Sequence, residues 1–203
     1  MKDTRFSKLV LFVNALVPLA LLLWDTYHKN VGANPLEFVT RTTGMLTLVF
    51  LFLTLAVTPA RKITGLNWLV NFRRMLGLFA FFYASLHLAT YIALYMNFDL
   101  NVFKTDITKR RFIIMGFSAW LLLLPLAATS TTWAIRKLGG KRWNRLHKLV
   151  YFAAVSGIVH YWWQVKPGVL SPMRLTIVLF VLFLARPVLK LVQKRKARPV
   201  AVS

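Results

Sequence analysis

Apolar residues in this chain gather into unbroken blocks and do not alternate with polar ones. The blocks fall at about 8–24, 44–60, 74–97, 113–130, 148–164 and 172–191. Each is roughly 20 residues, the length a helix needs to cross about 30 Å of hydrocarbon. Most carry no polar face, so the helices have no side suited to water and a soluble packing is excluded. The pattern predicts an all-α fold, a six-helix bundle integral to a membrane. The first block, LVLFVNALVPLALLLW, follows a basic start as a signal peptide would. It lacks a small-residue cleavage site, so it is read as a retained helix. Pro59, Gly139-Gly140 and Pro167-Gly168 read as helix ends, whereas Pro18, Pro125 and Pro187 lie within apolar stretches and kink them. With no repeat, low-complexity tract or long linker, residues 1–203 are expected to form a single transmembrane domain.

Composition narrows the chemistry. Hydrophobic residues make up 58% of the chain and cysteine is absent. That removes disulfides, thiolate-bound zinc, cysteine-held iron–sulfur clusters and cysteine-attached haem. Four histidines and five carboxylates remain as metal ligands. The net charge of +22 would suit nucleic acid, but the basic residues flank apolar blocks and form no continuous patch. The charge is therefore a topology signal. The N-terminus, the 61–74 and 131–148 loops and the C-terminal tail hold 19 of the 27 Lys and Arg. The other loops hold four of the five acids: Asp25, Glu37, Asp99 and Asp106. Basic residues collect on the cytoplasmic side, so both termini are expected there. The outer run Lys109-Arg110-Arg111 breaks the rule.

An ionisable residue at membrane depth marks function by default. His87 lies deep in the third span, His160 toward the far end of the fifth, His147 at the inner mouth of the fifth, and His28 in the first outer loop. The third and fifth spans run the same way. His87 lies 13 residues beyond Arg74, and His160 lies 13 beyond His147. At about 1.5 Å per residue, both stand about 20 Å above their helix starts. Two imidazoles at one level on neighbouring helices suit bis-histidine ligation of a b-type haem. The plainer alternative is a hydrogen bond from each to a neighbouring helix. On an ideal helix His147 and His160 point about 140° apart, so His147 joins the same column only from a bend or a helix end. Arg73, Arg74 and Arg145 at the inner mouth suit propionates or a phosphate, or else face lipid headgroups. Trp143, Trp162 and Trp163 read as interfacial anchors. His28 reads as a loop residue.

The segments FRRMLGLFAFFYASLHLATY, KRWNRLHKLVY and HYWWQVK, with GANP in the first outer loop and TPAR after the second span, resemble the MsrQ (YedZ) family. That family supplies the haem-binding membrane subunit of bacterial protein-methionine-sulfoxide reductase, on the ferric-reductase-like transmembrane fold. The resemblance implies that His87 and His160 hold an outer haem b and that His147 is an inner ligand. The other inner ligand falls at Arg73, where the fold elsewhere has histidine. It further implies a bacterial inner-membrane location and electrons arriving from quinone or a flavin reductase. They would leave to a periplasmic, molybdopterin-containing catalytic subunit, MsrP, for repair of oxidised envelope proteins. FMN is associated with the family, although no flavin motif is visible here, and no nucleotide fingerprint follows any strand-like segment. Two other readings stay open: a stand-alone ferric reductase, and a small proton-coupled transporter. The near absence of acidic residues from the spans weighs against the transporter.

Overall fold

The computed structural model describes residues 4–165 and 170–196, without the side chains of 194–196. The expected break at Pro167-Gly168 lies outside the described residues. Among the described residues six long helices form the bundle: α1 (Thr4–Tyr27), α2 (Pro35–Thr64), α3 (Val70–Thr90), α5 (Arg111–Ala128), α8 (Leu149–Gln164) and α9 (Ser171–Lys196). Three short ones join them: α4 (Leu100–Lys109), α6 (Thr132–Leu138) and α7 (Gly140–Leu146). Five of the long helices have the length and hydropathy to cross a membrane, with α3 extended by flanking turns to Asn67–Tyr95. The sixth, α8, has 16 residues. It is shorter than a full crossing requires because the chain turns at His147-Lys148. The outward faces carry large apolar side chains, Phe152 and Phe180 being 64% and 61% exposed. That is the surface of a protein solvated by lipid.

Local chemistry sets the boundaries. Asn34 caps α2, its side-chain oxygen accepting from the Glu37 N–H at 3.2 Å, with Pro35 opening the helix. Asp99 caps α4 through the Asn101 N–H at 2.8 Å. Glycine 139, at φ 72°, separates α6 from α7 in a conformation that side chains resist. Pro59 was expected to end the second span, but α2 runs through it to Thr64. Proline has no N–H for the carbonyl four residues back, so the Leu55 oxygen loses its helical partner. Arg186 of α9 supplies a substitute, donating from Nη2 at 2.9 Å. Buried proline in a bundle is tolerated where a neighbouring helix satisfies the freed group.

Close backbone packing joins α2 to α3 and α5 to α8. Between α3 and α8 no seam of that kind forms, so these two helices face each other through side chains. Trp120 of α5 links the pairs, donating to Ser85 of α3 at 3.0 Å and stacking on Phe81. The first helix is tied on by Tyr83, fully buried in α3, whose hydroxyl donates to the Ala15 carbonyl at 2.6 Å.

Candidate functional site

The space between the two helix pairs is spanned by His87 and His160. Their ring centroids lie 5.9 Å apart, with planes at 79°. The equal depth inferred by counting residues thus corresponds to two rings that meet. Each is held by the same local device. His87 donates from Nδ1 to the Thr40 carbonyl of α2 at 2.9 Å, and His160 donates from Nδ1 to the Phe112 carbonyl of α5 at 2.7 Å. Four residues after each acceptor stands a glycine, Gly44 or Gly116, on the face the imidazole covers. A Cβ at Gly44 would lie 3.1 Å from the His87 ring, and one at Gly116 only 2.7 Å from His160 Nδ1. The missing side chains let both rings reach main chain.

A carbonyl only accepts, so the proton of each imidazole sits on Nδ1 and Nε2 carries the free lone pair. Neither Nε2 has a hydrogen-bond partner among the described residues. An outer-shell carbonyl that fixes the tautomer and leaves Nε2 bare is the usual preparation of a metal-ligating histidine. Metal–imidazole bonds of about 2 Å on either side put two ring centroids about 6 Å apart. The observed 5.9 Å matches that span. The residues present therefore fit a metal that two imidazoles would hold between them.

His147 is arranged otherwise. It ends α7, in the turn before α8, and does not touch the outer pair. Its Nε2 lies 3.2 Å from the Thr129 hydroxyl, and its ring stacks on Trp143 at 3.8 Å. Trp143 in turn donates to the Thr129 carbonyl at 2.9 Å. Burial, and after it the Arg73 charge, pushes the His147 imidazole down to about 4. Arg73 is half-buried in α3 at this inner mouth, whereas Arg74 and Arg145 are exposed. His28 is also exposed and bonds its own helix through the Trp24 carbonyl at 3.0 Å, as a loop residue would.

Arg186 belongs by charge to the basic C-terminal tail, and residue type alone does not single it out. It lies within α9, its Nη1 donating to the Tyr151 hydroxyl and its Nε buried with no hydrogen-bond partner. The signal was an arginine followed by proline inside an apolar stretch. Thr40 and Phe112 act through main chain, which residue type cannot reveal.

Residues 42–158 match the family model of the ferric reductase like transmembrane component, a stretch that takes in α3 and α5 whole with most of α2 and α8, and stops just before His160. A relative from Herminiimonas arsenicoxydans is 54% identical over 157 residues, 77% of this chain and 72% of its own. Another, from Rhodospirillum rubrum, is 44% identical over 194 residues, 96% of this chain and 93% of its own. Both bear the name protein-methionine-sulfoxide reductase heme-binding subunit MsrQ. The chain belongs to the MsrQ family. A third MsrQ, from Ralstonia nicotianae, is 51% identical over 163 residues, covering 80% of this chain and 75% of the relative. MsrQ membership and the ferric-reductase-like bundle agree with the fold expected from the hydropathy pattern. The match over nearly the full length of the Rhodospirillum MsrQ covers both His87 and His160.

Proposed function

We propose that this chain is the haem b-binding electron-transfer subunit of a methionine-sulfoxide reductase system, in which His87 and His160 would hold the haem iron. The meeting of the two imidazoles, each with Nδ1 committed to a carbonyl and Nε2 free, carries the reading. Haem bound there supplies a one-electron iron couple within the bilayer. The chain's own contribution is to hold both rings in the ligating tautomer. Gly44 and Gly116 provide the room, and Trp120 with Ser85 fixes the spacing of the helix pairs. His147 is the inner ligand in this reading, opposite the Arg73 position. Its Nε2 already faces the Thr129 hydroxyl, so ligation through that nitrogen would compete with this contact. Arg73 and Arg74 then face propionates, or the phosphate of an FMN, at the inner mouth.

The basic residues support an inner-membrane protein with both termini cytoplasmic and one transmembrane domain. Electrons come from quinone or a flavin reductase and leave outward to the periplasmic molybdopterin-containing catalytic subunit, MsrP. The relatives' names support the partnership with a methionine-sulfoxide reductase. The test is the haem-to-protein ratio and Soret absorption of purified wild type, His87→Ala and His160→Ala. A red wild type with the low-spin Soret band lost in both variants is expected. Unchanged haem in both variants would sink the assignment.

A further inference from the structure

The outer run Lys109-Arg110-Arg111 is unexplained by the electron path as described, and it opposes the topological bias of every other basic cluster. These three residues line, with Phe112 and Trp163, an open cavity of 340 Å³ at the junction of α4 and α5. Arg110 is already committed: its Nε lies 3.3 Å from Asp106, which also accepts from the Tyr91 hydroxyl at 2.7 Å. That network pins α4 to the π-helical turn Tyr91–Tyr95 that follows α3, and so fixes the cavity's shape. Lys109 and Arg111 are exposed and have no carboxylate partner among the described residues. Two uncompensated cations therefore sit at the rim of a preformed cavity.

Through Phe112 this cavity adjoins the histidine pair. The Phe112 carbonyl accepts from His160, and its ring lies 6.0 Å from the imidazole. Trp163 stands one turn further along α8 from His160. Anything seated here is one side chain from the histidine pair. We propose that this cavity is where the soluble electron acceptor docks, through a carboxylate-bearing face that pairs with Lys109 and Arg111. The proposal rests on the electron-transfer reading above. Complementary charge mainly accelerates encounter and fixes orientation, and its effect fades with salt. An open basic rim over an aromatic floor suits an encounter that must form, pass an electron and dissolve. An anionic lipid headgroup is the competing occupant.

The experiment uses full-length, haem-loaded protein in nanodiscs of phosphatidylcholine alone. It follows oxidation of the reduced haem by the periplasmic catalytic subunit between about 0.01 and about 0.5 M salt. Wild type should slow steeply with salt. Lys109→Glu combined with Arg111→Glu should be slower by about tenfold or more at low salt and nearly salt-independent, with an unchanged Soret band. Lys109→Gln with Arg111→Gln, a milder pair should the first fail to fold, should fall between. Equal rates with equal salt dependence would overturn the docking site. So would an effect that appears only when phosphatidylglycerol is added, or loss of the Soret band in the variants, which would make the cavity a holder of haem carboxylates. A haem-loaded wild type with charge-insensitive transfer removes the docking site alone. A colourless wild type removes it together with the function on which it rests.

Discussion

At the level of His87 and His160 each imidazole gives its Nδ1 proton to a main-chain carbonyl, whereas His147 sets Nε2 against the Thr129 hydroxyl and lies flat on Trp143. The outer rings are anchored from behind, on helices packed tightly against their own, and their ligating nitrogens are left bare. The inner ring is anchored through Nε2, a nitrogen a metal could use, on the turn between α7 and α8. Main-chain anchoring costs no ligand capacity, but side-chain anchoring competes with it. Residue type alone therefore does not rank candidate ligands: the nitrogen already in use does.

The largest effect should come from comparing His160→Ala with His147→Ala directly. His160→Ala is expected to abolish the low-spin bis-histidine signal, whereas His147→Ala should remove only the fraction of haem most easily lost in detergent. Haem content per protein and electron paramagnetic resonance of the oxidised state check this. Equal losses from both variants would erase the distinction between the two ends.

Gly116→Ala and Gly44→Ala sharpen the outer half of the comparison. The new methyl at Gly116 would sit 2.7 Å from His160 Nδ1 and 2.8 Å from Cε1, a distance that forces the ring off the Phe112 carbonyl. At Gly44 the nearest His87 atoms lie at 3.1 and 3.2 Å, a shortfall of a few tenths of an ångström. Overpacking of this kind costs roughly 1–3 kcal/mol when the neighbours are rigid. Gly116→Ala should therefore lose most of its haem and Gly44→Ala should keep most of it, as measured by Soret absorbance per protein. The reverse order would mean that the glycines do not position the rings.

Arg186 tests the inner end by stability. It replaces the N–H that Pro59 cannot offer to Leu55, so Arg186→Met should destabilise the bundle by about 1–3 kcal/mol through an unsatisfied buried carbonyl. In a Pro59→Ala background the helix regains its own donor, and the same substitution should cost about 1 kcal/mol less. Unfolding midpoints in a denaturing detergent give the four corners of the cycle. Additive effects would show that the arginine does not act through Leu55.

The legible parts of this molecule are those written in periodicity and counting. Long apolar runs gave the helices, and two stretches of 13 residues matched the heights of His87 and His160. What stayed hidden depends on contacts between distant segments. Thr40 and Phe112 matter for their carbonyls, and Gly44 and Gly116 for what they lack, so none stands out in a list of chemically active residues. Arg186 looked like tail charge because its partners, Tyr151 and the Leu55 carbonyl, come from two other helices. Pro59 looked like a helix end because a lone helix would break there; a neighbour's guanidinium lets it continue. The amphipathic α4 is too short and too polar to register as a span.

The smallest effect separates a structural role of His147 from a ligating one. In Thr129→Val the shape is kept, and the Trp143 bond to the Thr129 main chain survives because it does not involve the side chain. The hydroxyl is lost with its 2.7 Å bond to the Pro125 carbonyl of its own helix and its longer contact, 3.2 Å, with His147 Nε2. A single such hydrogen bond contributes about 1 kcal/mol. If iron and Thr129 compete for this nitrogen, removing the hydroxyl should strengthen inner haem retention by roughly fivefold. A slower loss of the labile haem fraction to apomyoglobin, with the outer signal unmoved, is the expected result. An equal or faster loss would make Thr129 a support for His147 and not its competitor, because a ring that needs the hydroxyl to stay in place cannot also be freed by its removal.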